Sequence, residues 1–230
     1  MPAVRIIFVR HGHPDYARDC LTELGHVQAA AAARRLAGEG VERIFSSTCG
    51  RALETAQHLA ELLALPVERC DCMRELHWGG VTGPLPDDGH PWTTVDRMVA
   101  AGEPLLDAGW AQGARFGDNR VVQSACHAAD GMDALLATLG YVREGLYYRV
   151  QPHRERTLAM FSHGGASAAM LSRLFNLPLP FVLGAMGPDY TAVTIAALPD
   201  AVGELAAPRF ELLNDARHIA GMTAENIYGR

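Results

Sequence analysis

Three short segments of this chain place cationic, hydroxyl or imidazole side chains at the end of an apolar run. They are Arg10-His11-Gly12, Ser46-Ser47 and His163-Gly164-Gly165. Guanidinium groups bind anions through charge-assisted hydrogen bonds, and a neutral imidazole is a nucleophile. The combination predicts an anion-binding site that contains a nucleophile, although each segment alone also fits an ordinary turn after a strand.

The elements that must bring these segments together are strands of a parallel sheet. Short β-branched and aromatic runs at 4–9, 43–46, 67–70 and 157–162 are typical of buried strands, and amphipathic helical stretches separate the first three. This alternation indicates right-handed crossovers. Since the carboxyl ends of parallel strands share one edge, where ligands bind in open sheets, we expect five side chains to converge there. They are Arg10, His11, Arg51, Glu75 and His163.

Local signals place the other elements. Thr22 is expected to cap a helix over 23–37, and Ser47 and Thr48 are expected to cap the next one. The remaining predicted elements are helices at about 121–139 and 166–175 and strands at 190–198 and 209–213. Residues from about 76 to 120 are rich in Gly, Pro, Asp and Trp, so we expect an irregular functional insertion in one domain over 1–230.

The composition excludes several classes of partner and chemistry. The 230-residue chain is 49% hydrophobic and 20% charged, and its net charge of −6 gives no basic field for nucleic acid or an anionic membrane. All 20 cationic residues are arginine, which excludes a Schiff-base or P-loop lysine. No run is long enough to span a bilayer, and the first apolar run is too short for a signal peptide. We therefore expect a cytoplasmic protein without nucleic-acid or membrane partners.

The cysteines and histidines do not predict a metal site. Five cysteines without a framework spacing are expected to be reduced thiols. Cys70-Asp71-Cys72 is too tightly spaced for an ordinary zinc site, and the ten histidines show no metal-binding helical spacing.

Five motifs follow one another between residue 4 and about residue 175. They are Phe8-Val9-Arg10-His11-Gly12, Leu21-Thr22-Glu23-Leu24-Gly25, Ser46-Ser47-Thr48-Cys49-Gly50-Arg51-Ala52, Arg74-Glu75-Leu76 and Phe161-Ser162-His163-Gly164-Gly165. Together they resemble the histidine phosphatase superfamily, in the branch that also contains cofactor-dependent phosphoglycerate mutases. The resemblance implies an α/β fold, a three-layer sandwich with a mainly parallel central sheet and a cap insertion.

The resemblance also implies roles for the convergent residues. His11 would accept the phosphoryl group, and Arg10 and Arg51 would clamp it. His163 would hydrogen-bond the transferring group. Glu75 would protonate the leaving alkoxide, since position 164 is a glycine where another branch carries an aspartic acid. The candidate substrate-binding residues are Thr22, Gly164, His13 and Trp78.

Two departures from the mutase pattern favour hydrolysis. His13-Pro14-Asp15-Tyr16-Ala17 replaces the Glu-Ser and the asparagine that usually follow Arg-His-Gly, so one polar contact to phosphate is missing unless Asp15, His13 or a loop residue replaces it. The insertion also carries few basic residues that could hold a bisphosphorylated intermediate. They are Arg97, Arg115 and Arg120.

We therefore expect a metal-independent phosphomonoesterase that acts through a phosphohistidine intermediate on a small phosphorylated metabolite. It would need no cofactor, and the family resemblance makes a homodimer a reasonable expectation. Three alternatives stay open at this point: a cofactor-dependent phosphoglycerate mutase, a non-catalytic protein that binds a phosphorylated ligand on the same fold, and a metal-dependent hydrolase.

Overall fold

Strands and helices alternate along most of the chain. The computed structural model describes residues 3–152 and 157–222, in which eleven strands and six α-helices are found. The strands are β1 (Ala3–Arg10), β2 (Pro14–Asp15), β3 (Cys20–Leu21), β4 (Arg43–Ser46), β5 (Val67–Arg69), β6 (Tyr141–Glu144), β7 (Tyr147–Val150), β8 (Thr157–Ser162), β9 (Val193–Pro199), β10 (Leu205–Ala206) and β11 (Arg209–Asp215). The helices are α1 (Glu23–Leu36), α2 (Gly50–Leu63), α3 (Pro91–Ala100), α4 (Val121–Thr138), α5 (Gly164–Phe175) and α6 (Leu179–Ala185).

The central sheet contains six strands in the order β11-β9-β1-β8-β4-β5. Strands β1, β8, β4 and β5 run parallel to their neighbours in that series, whereas β9 pairs antiparallel with both β1 and β11. Helices α1 and α2 form the connections from β1 to β4 and from β4 to β5. The predicted α/β fold with a mainly parallel sheet is therefore confirmed.

Helices cover both faces of this sheet, as the sequence of β1 requires. Ile6 and Phe8 belong to the core that includes α4 and α5, whereas Ile7 and Val9 belong to the core that includes α1 and α2. Successive side chains of a strand point to opposite faces, so a strand between two helical layers is apolar throughout. All four side chains are at most 2% exposed, and burial of each stabilises the fold by about 1.5–3 kcal/mol.

The strand register brings three strand ends to one level. Arg10 of β1 lies opposite Ser162 of β8, and Ser46 of β4 lies opposite Phe161 of the same strand. The main chain then continues these pairings, because the N–H of His11 donates to the carbonyl of Ser162 at 2.9 Å. The segments after these strands emerge at one edge of the sheet, as the sequence predicts.

The segment expected to be irregular contains a helix, α3. Its buried residues are Pro91, Val95 and Met98, and this narrow stripe is too short to show a helical period in the sequence. The hairpin of β6 and β7, which turns at Gly145 with a φ of 60°, was not predicted from the sequence. Over residues 3–152 and 157–222, no helix is both long and apolar enough to cross a membrane.

Candidate active site

A cavity of about 700 Å³ opens at the carboxyl edge of the sheet. Arg10, Arg51, Glu75 and Gly164 line one part of it, so four residues from separate motifs face a common space. The insertion contributes the facing wall. Its cavity residues are Trp78, His90, Trp92, Thr93 and Asp96.

His11 is buried beside this cavity and is held as a neutral nucleophile. It is 1% exposed, and its Nδ1 lies 2.8 Å from the carbonyl oxygen of Gly12. Since a carbonyl only accepts, Nδ1 carries the proton and Nε2 carries the lone pair. Burial lowers the pKa of His11 well below its ordinary value, and the charges of Arg10 and Arg51 act in the same direction.

His163 packs against His11, with ring centroids 5.1 Å apart. Its Nε2 lies 2.8 Å from Oγ of Ser47, which already accepts a hydrogen bond from the N–H of Cys49. The Ser47 hydroxyl can therefore donate to Nε2, which leaves the His163 proton on Nδ1. That nitrogen is buried without a partner among the described residues, so its N–H can reach a bound anion. Burial, with His11 nearby, lowers the pKa of His163 well below its ordinary value.

The prediction that Ser47 and Thr48 cap α2 is wrong. Cys49 is the N-cap residue, and its side chain makes no capping hydrogen bond. The side chain of Ser47 is fully buried at the sheet edge. Its hydroxyl is hydrogen-bonded to His163, so it positions that ring instead of capping the helix. Thr48 accepts instead from a guanidinium nitrogen of Arg74 at 3.0 Å.

Arg10 and Arg51 are anchored by contacts that leave part of each guanidinium unused. Arg10 donates from Nη1 to the carbonyl of Pro188 at 2.9 Å and stacks 4.3 Å from the ring centre of Tyr190. Arg51 pairs with the carboxylate of Asp19. The Nε atoms of both arginines are buried and have no partner within the described part of the chain. A buried unpaired N–H costs about 1–3 kcal/mol, which a bound anion would offset.

Glu75 is fixed at the start of α5 by one of its carboxyl oxygens. Oε1 accepts hydrogen bonds from the N–H groups of Leu76 at 2.9 Å and Ala166 at 3.0 Å. A glycine at position 165 permits this approach, since a Cβ there would lie 2.7 Å from Oε1. Burial raises the pKa of Glu75, although these donors and Arg10 oppose the shift. A carboxyl group with a raised pKa can keep the proton that a leaving alkoxide needs.

Gly164 brings the first turn of α5 to the cavity. A Cβ at this position would lie 3.3 Å from the Trp92 ring, so a larger side chain would press on that ring. The aspartic acid that another branch of the family carries here would require the Trp92 ring to shift by a few tenths of an ångström to accommodate its Cβ. The free N–H groups at the start of α5 add positive potential where an anion binds.

The other two candidate substrate-binding residues lie outside the cavity lining. Thr22 caps α1 as predicted, since its Oγ1 accepts from the N–H of Gly25 at 3.1 Å. The same oxygen lies 2.9 Å from Nδ1 of His13. Neither Thr22 nor His13 lines the cavity, whereas Gly164 and Trp78 do. Contact of all four with substrate stays a prediction.

Tyr16 and Asp19 are two residues at this site for which no role was predicted from the sequence. The Tyr16 ring stands edge-on to His11, with centroids 6.4 Å apart, and Cζ of Arg51 lies 5.4 Å from its centre. Asp19 holds Arg51 and accepts from the N–H of Gly50 at 2.8 Å. The only signal in the sequence was position: Tyr16 lies in the segment where the family's asparagine is missing, and Asp19 lies two residues beyond the end of that segment.

Ligand groups for a metal are not clustered in this structure. Among residues 3–152 and 157–222, no three His, Cys, Asp or Glu side chains are arranged to hold an ion. All five cysteines are free thiols.

Comparison with known proteins agrees with this geometry. Residues 6–97 match the family model of the histidine phosphatase superfamily, branch 1. The chain is 31% identical over 201 residues to a glucosyl-3-phosphoglycerate phosphatase of Mycobacterium tuberculosis, covering 81% of this chain and 83% of that relative. This chain belongs to the histidine phosphatase superfamily.

Further relatives of this histidine phosphatase include both phosphatases and mutases. A solved mycobacterial glucosyl-3-phosphoglycerate phosphatase in complex with inorganic phosphate superposes with a TM-score of 0.64 at 26% identity, covering 94% of this chain and 99% of that chain. A 2,3-bisphosphoglycerate-dependent phosphoglycerate mutase of Brucella canis is 26% identical over 200 residues, covering 75% of this chain and 82% of that relative. The expected family and the expected enzyme class, a phosphatase that acts on phosphomonoesters, are confirmed.

We expect kcat/KM of this histidine phosphatase for an alkyl phosphate to follow a bell-shaped pH profile, because kcat/KM reports the ionisation of groups in the free enzyme. Phosphoryl transfer needs neutral His11, whose pKa is lowered, so activity falls only when the pH drops well below the ordinary histidine range. A poor leaving group also needs protonated Glu75, whose pKa is raised above its ordinary value, so activity falls again as the pH rises through that value. Steady-state rates with an alkyl phosphate between about pH 4 and about pH 9 test this expectation. A pH profile in which the rate changes only once, at the ordinary pKa of histidine, would contradict this expectation.

Glu75→Gln should make the rate depend strongly on the leaving group. The amide keeps the size of the side chain but cannot give a proton to an alkoxide, so we expect kcat/KM for alkyl phosphates to fall by about 10²–10⁴-fold. The value of kcat/KM with p-nitrophenyl phosphate should change little, because its leaving group needs no proton and kcat/KM does not include the later attack of water on the phosphoenzyme. Glu61→Gln, on the exposed side of α2, is the matched control. An equal loss with both substrates would indicate a structural role for Glu75 and exclude it as the acid.

Proposed function

We propose that this phosphatase hydrolyses a small phosphorylated metabolite in two steps, through a phosphohistidine at His11 and without a metal ion. One observation carries the proposal. Nε of Arg10, Nε of Arg51 and Nδ1 of His163 are buried without partners among the described residues, and all three residues lie near His11: the ring of His163 is centred 5.1 Å from the ring of His11, and the charges of both arginines lower the pKa of His11. A phosphoryl group has three oxygens and can accept a hydrogen bond from each of these donors.

In the first step, Nε2 of His11 attacks phosphorus as the bond to the ester oxygen breaks. The arginines stay charged throughout and stabilise the charge that spreads over the phosphoryl oxygens. Glu75 gives its proton to the departing alkoxide and becomes a carboxylate. The N–H groups of Leu76 and of Ala166, at the start of α5, donate to Oε1 and stabilise that carboxylate, and Oε2 is the oxygen that can carry the proton.

In the second step, water attacks phosphorus from the side that the alcohol has left. The Glu75 carboxylate removes a proton from this water, and the bond between phosphorus and Nε2 of His11 breaks. Inorganic phosphate leaves, and both residues return to their starting protonation states. The lowered pKa of His11 supports this step, because a neutral imidazole is regenerated near neutral pH.

The relatives support a substrate that carries a sugar. Relatives that are 29–31% identical over about 200 residues are named glucosyl-3-phosphoglycerate phosphatases, and a cavity of about 700 Å³ is large enough for a sugar beside the phosphoryl site. We also propose a cytoplasmic location, because all five cysteines are free thiols.

A panel of phosphomonoesters assayed in excess chelator tests the proposed reaction. We expect release of inorganic phosphate with chelator present and an acid-labile phosphoenzyme after rapid quenching. Loss of activity in chelator, with recovery on adding a divalent cation, would overturn the metal-independent mechanism. Exchange between 2- and 3-phosphoglycerate with a bisphosphate primer, faster than phosphate release, would indicate a mutase.

A further inference from the structure

Cys70 and Cys72 bring two thiols into contact in the turn that follows β5. A single 3₁₀ turn spans Asp71–Met73, and Cys70 is the residue that precedes it. The Sγ atoms of the two cysteines lie 2.9 Å apart, and both side chains are partly exposed free thiols. Since a disulfide bond is about 2.0 Å long, a movement of about 1 Å would join the two sulfurs. Neither thiol takes part in phosphoryl transfer, so the pair is available for chemistry of its own.

The two thiols differ in acidity. The Cys72 thiol donates a hydrogen bond to the Cys70 sulfur, and together with N–H groups of the turn it lowers the pKa of Cys70 to about 7, although burial opposes the shift. The pKa of Cys72 is raised, because its proton is held in this hydrogen bond and burial disfavours its thiolate. Since the thiolate is the nucleophilic form, Cys70 is the reactive partner near neutral pH.

The packing of α4 makes room for the second thiol. Gly131 lies within α4, and a Cβ at this position would lie 2.2 Å from Cβ of Cys72 and 2.5 Å from its Sγ. Any side chain at position 131 would therefore push Cys72 out of its place. Glycine destabilises the interior of a helix relative to alanine. Its presence opposite Cys72 allows the second sulfur to reach Cys70.

The turn is joined to two segments of the candidate active site. The carbonyl of Met73 accepts a hydrogen bond from Oγ of Ser162 at 2.7 Å, and Ser162 is the residue before His163. Met73 is fully buried, and Glu75 follows it by two residues. Because the interior around Met73 is closely packed, a change in the turn is transmitted to Glu75.

We propose that Cys70 and Cys72 form a reversible oxidation site, at which hydrogen peroxide converts the two thiols into a disulfide and thereby slows proton donation by Glu75. The Cys70 thiolate attacks one oxygen of the peroxide, the O–O bond breaks, and a sulfenic acid and hydroxide result. The Cys72 sulfur then attacks the Cys70 sulfur, the S–O bond breaks, and the departing hydroxide takes the Cys72 proton. The two sulfurs lose two electrons in total, and both peroxide oxygens end as water once the first hydroxide takes a proton from solvent.

The reverse reaction needs a dithiol. Two successive thiol–disulfide exchanges would restore both thiols and oxidise the dithiol to its own disulfide. A disulfide that closes a loop of one residue gains little stability from loop closure, so it is readily reduced. Disulfides of this transient kind are the ones expected in a reducing compartment. The effect on activity rests on the phosphatase function proposed above, whereas formation of the bond does not.

Purified enzyme treated with hydrogen peroxide tests the proposal. We expect the wild type to lose two thiols and to become lighter by two hydrogen atoms, with the new bond in the peptide that contains Cys70 and Cys72. For the alkyl phosphate of the substrate panel with the highest kcat/KM, that value should fall by about 10-fold or more, because its leaving group needs the Glu75 proton. The value for p-nitrophenyl phosphate should change little, and dithiothreitol should restore the mass and the lost activity.

Three variants identify the sulfurs involved. Cys72→Ser should stop at a sulfenic acid on Cys70, which dimedone traps, and should keep its activity with the alkyl phosphate. Cys70→Ser should form no sulfenic acid at Cys72, because that thiol remains protonated. Cys126→Ser removes an exposed thiol from α4 and should respond to peroxide as the wild type does.

The outcomes separate failure of this proposal from failure of the phosphatase function. Two intact thiols in wild-type enzyme after peroxide treatment would overturn the oxidation site. An equal loss of activity in Cys72→Ser, or a disulfide that leaves kcat/KM for the alkyl phosphate unchanged, would overturn its control of Glu75. If no ester is hydrolysed before oxidation, the phosphatase function is overturned, and the thiol count and mass still decide whether the disulfide forms.

Discussion

We expect His11→Ala to lose at least about 10⁴-fold in kcat while it remains folded. Nε2 of His11 is the atom that would bond to phosphorus, and His163 cannot replace it. The ring of His163 is centred 5.1 Å away, and its Nε2 is already hydrogen-bonded to Ser47. Initial rates with p-nitrophenyl phosphate measure the loss, and the acid-labile phosphate seen after quenching should disappear with it.

His58→Ala is the matched control for this variant. His58 lies on α2, where its Nε2 is 3.1 Å from Nδ1 of His26, and it does not line the cavity. We expect its rate to stay within about 2-fold of the wild type, as is usual for changes away from a site. A His11→Ala enzyme that still forms an acid-labile phosphoenzyme would assign the nucleophile to another residue.

Arg51→Ala should reduce kcat/KM by about 10²–10³-fold. The side chain is only 11% exposed, so solvent screens its charge weakly. The change removes the buried Nε donor, and it also leaves the Asp19 carboxylate without its partner beside an incoming phosphate. Inhibition constants for inorganic phosphate should rise in parallel, because the same guanidinium would hold product and substrate.

Two companion variants separate charge from geometry at this position. Arg51→Lys keeps the charge but lacks the planar fork of donors, so we expect it to recover only part of the loss. Arg69→Ala removes an exposed arginine at the end of β5 and should have no measurable effect on kcat/KM. Wild-type turnover in Arg51→Ala would exclude the assignment of Arg51 to the phosphate clamp.

The fold was predictable where the sequence signal is local. Ile6 to Val9 are apolar on both faces of β1, which only a strand between two helical layers requires. Thr22 caps α1 because an N-cap is a contact between neighbouring residues. Helix α3 was not predictable in this way, since it packs only a short stripe around Val95 and Met98 on the rest of the protein.

The candidate site was likewise predictable only where the sequence signal is local. Five side chains were predicted to converge from their positions near strand ends: Arg10, His11, Arg51, Glu75 and His163. Arg10, Arg51 and Glu75 line one cavity, and both histidines are buried. Tyr16 and its neighbour Ala17 occupy the segment in which the family pattern expects an asparagine, and no local rule assigns a phenol to that role. The presence of His90, Thr93 and Asp96 in the facing wall was also not predictable, because it depends on how the insertion folds over the sheet edge.

The sequence by itself therefore determined the order of the motifs, the strands that carry them and the superfamily to which this phosphatase belongs. Only the tertiary structure decided how the reactive side chains are held. Ser47 reaches His163 across 116 residues of chain, and the Trp92 ring lies 3.3 Å from the place that a Cβ on Gly164 would occupy. The physical reason is that strand and helix signals arise between near neighbours, whereas these contacts depend on packing between elements that are distant in sequence.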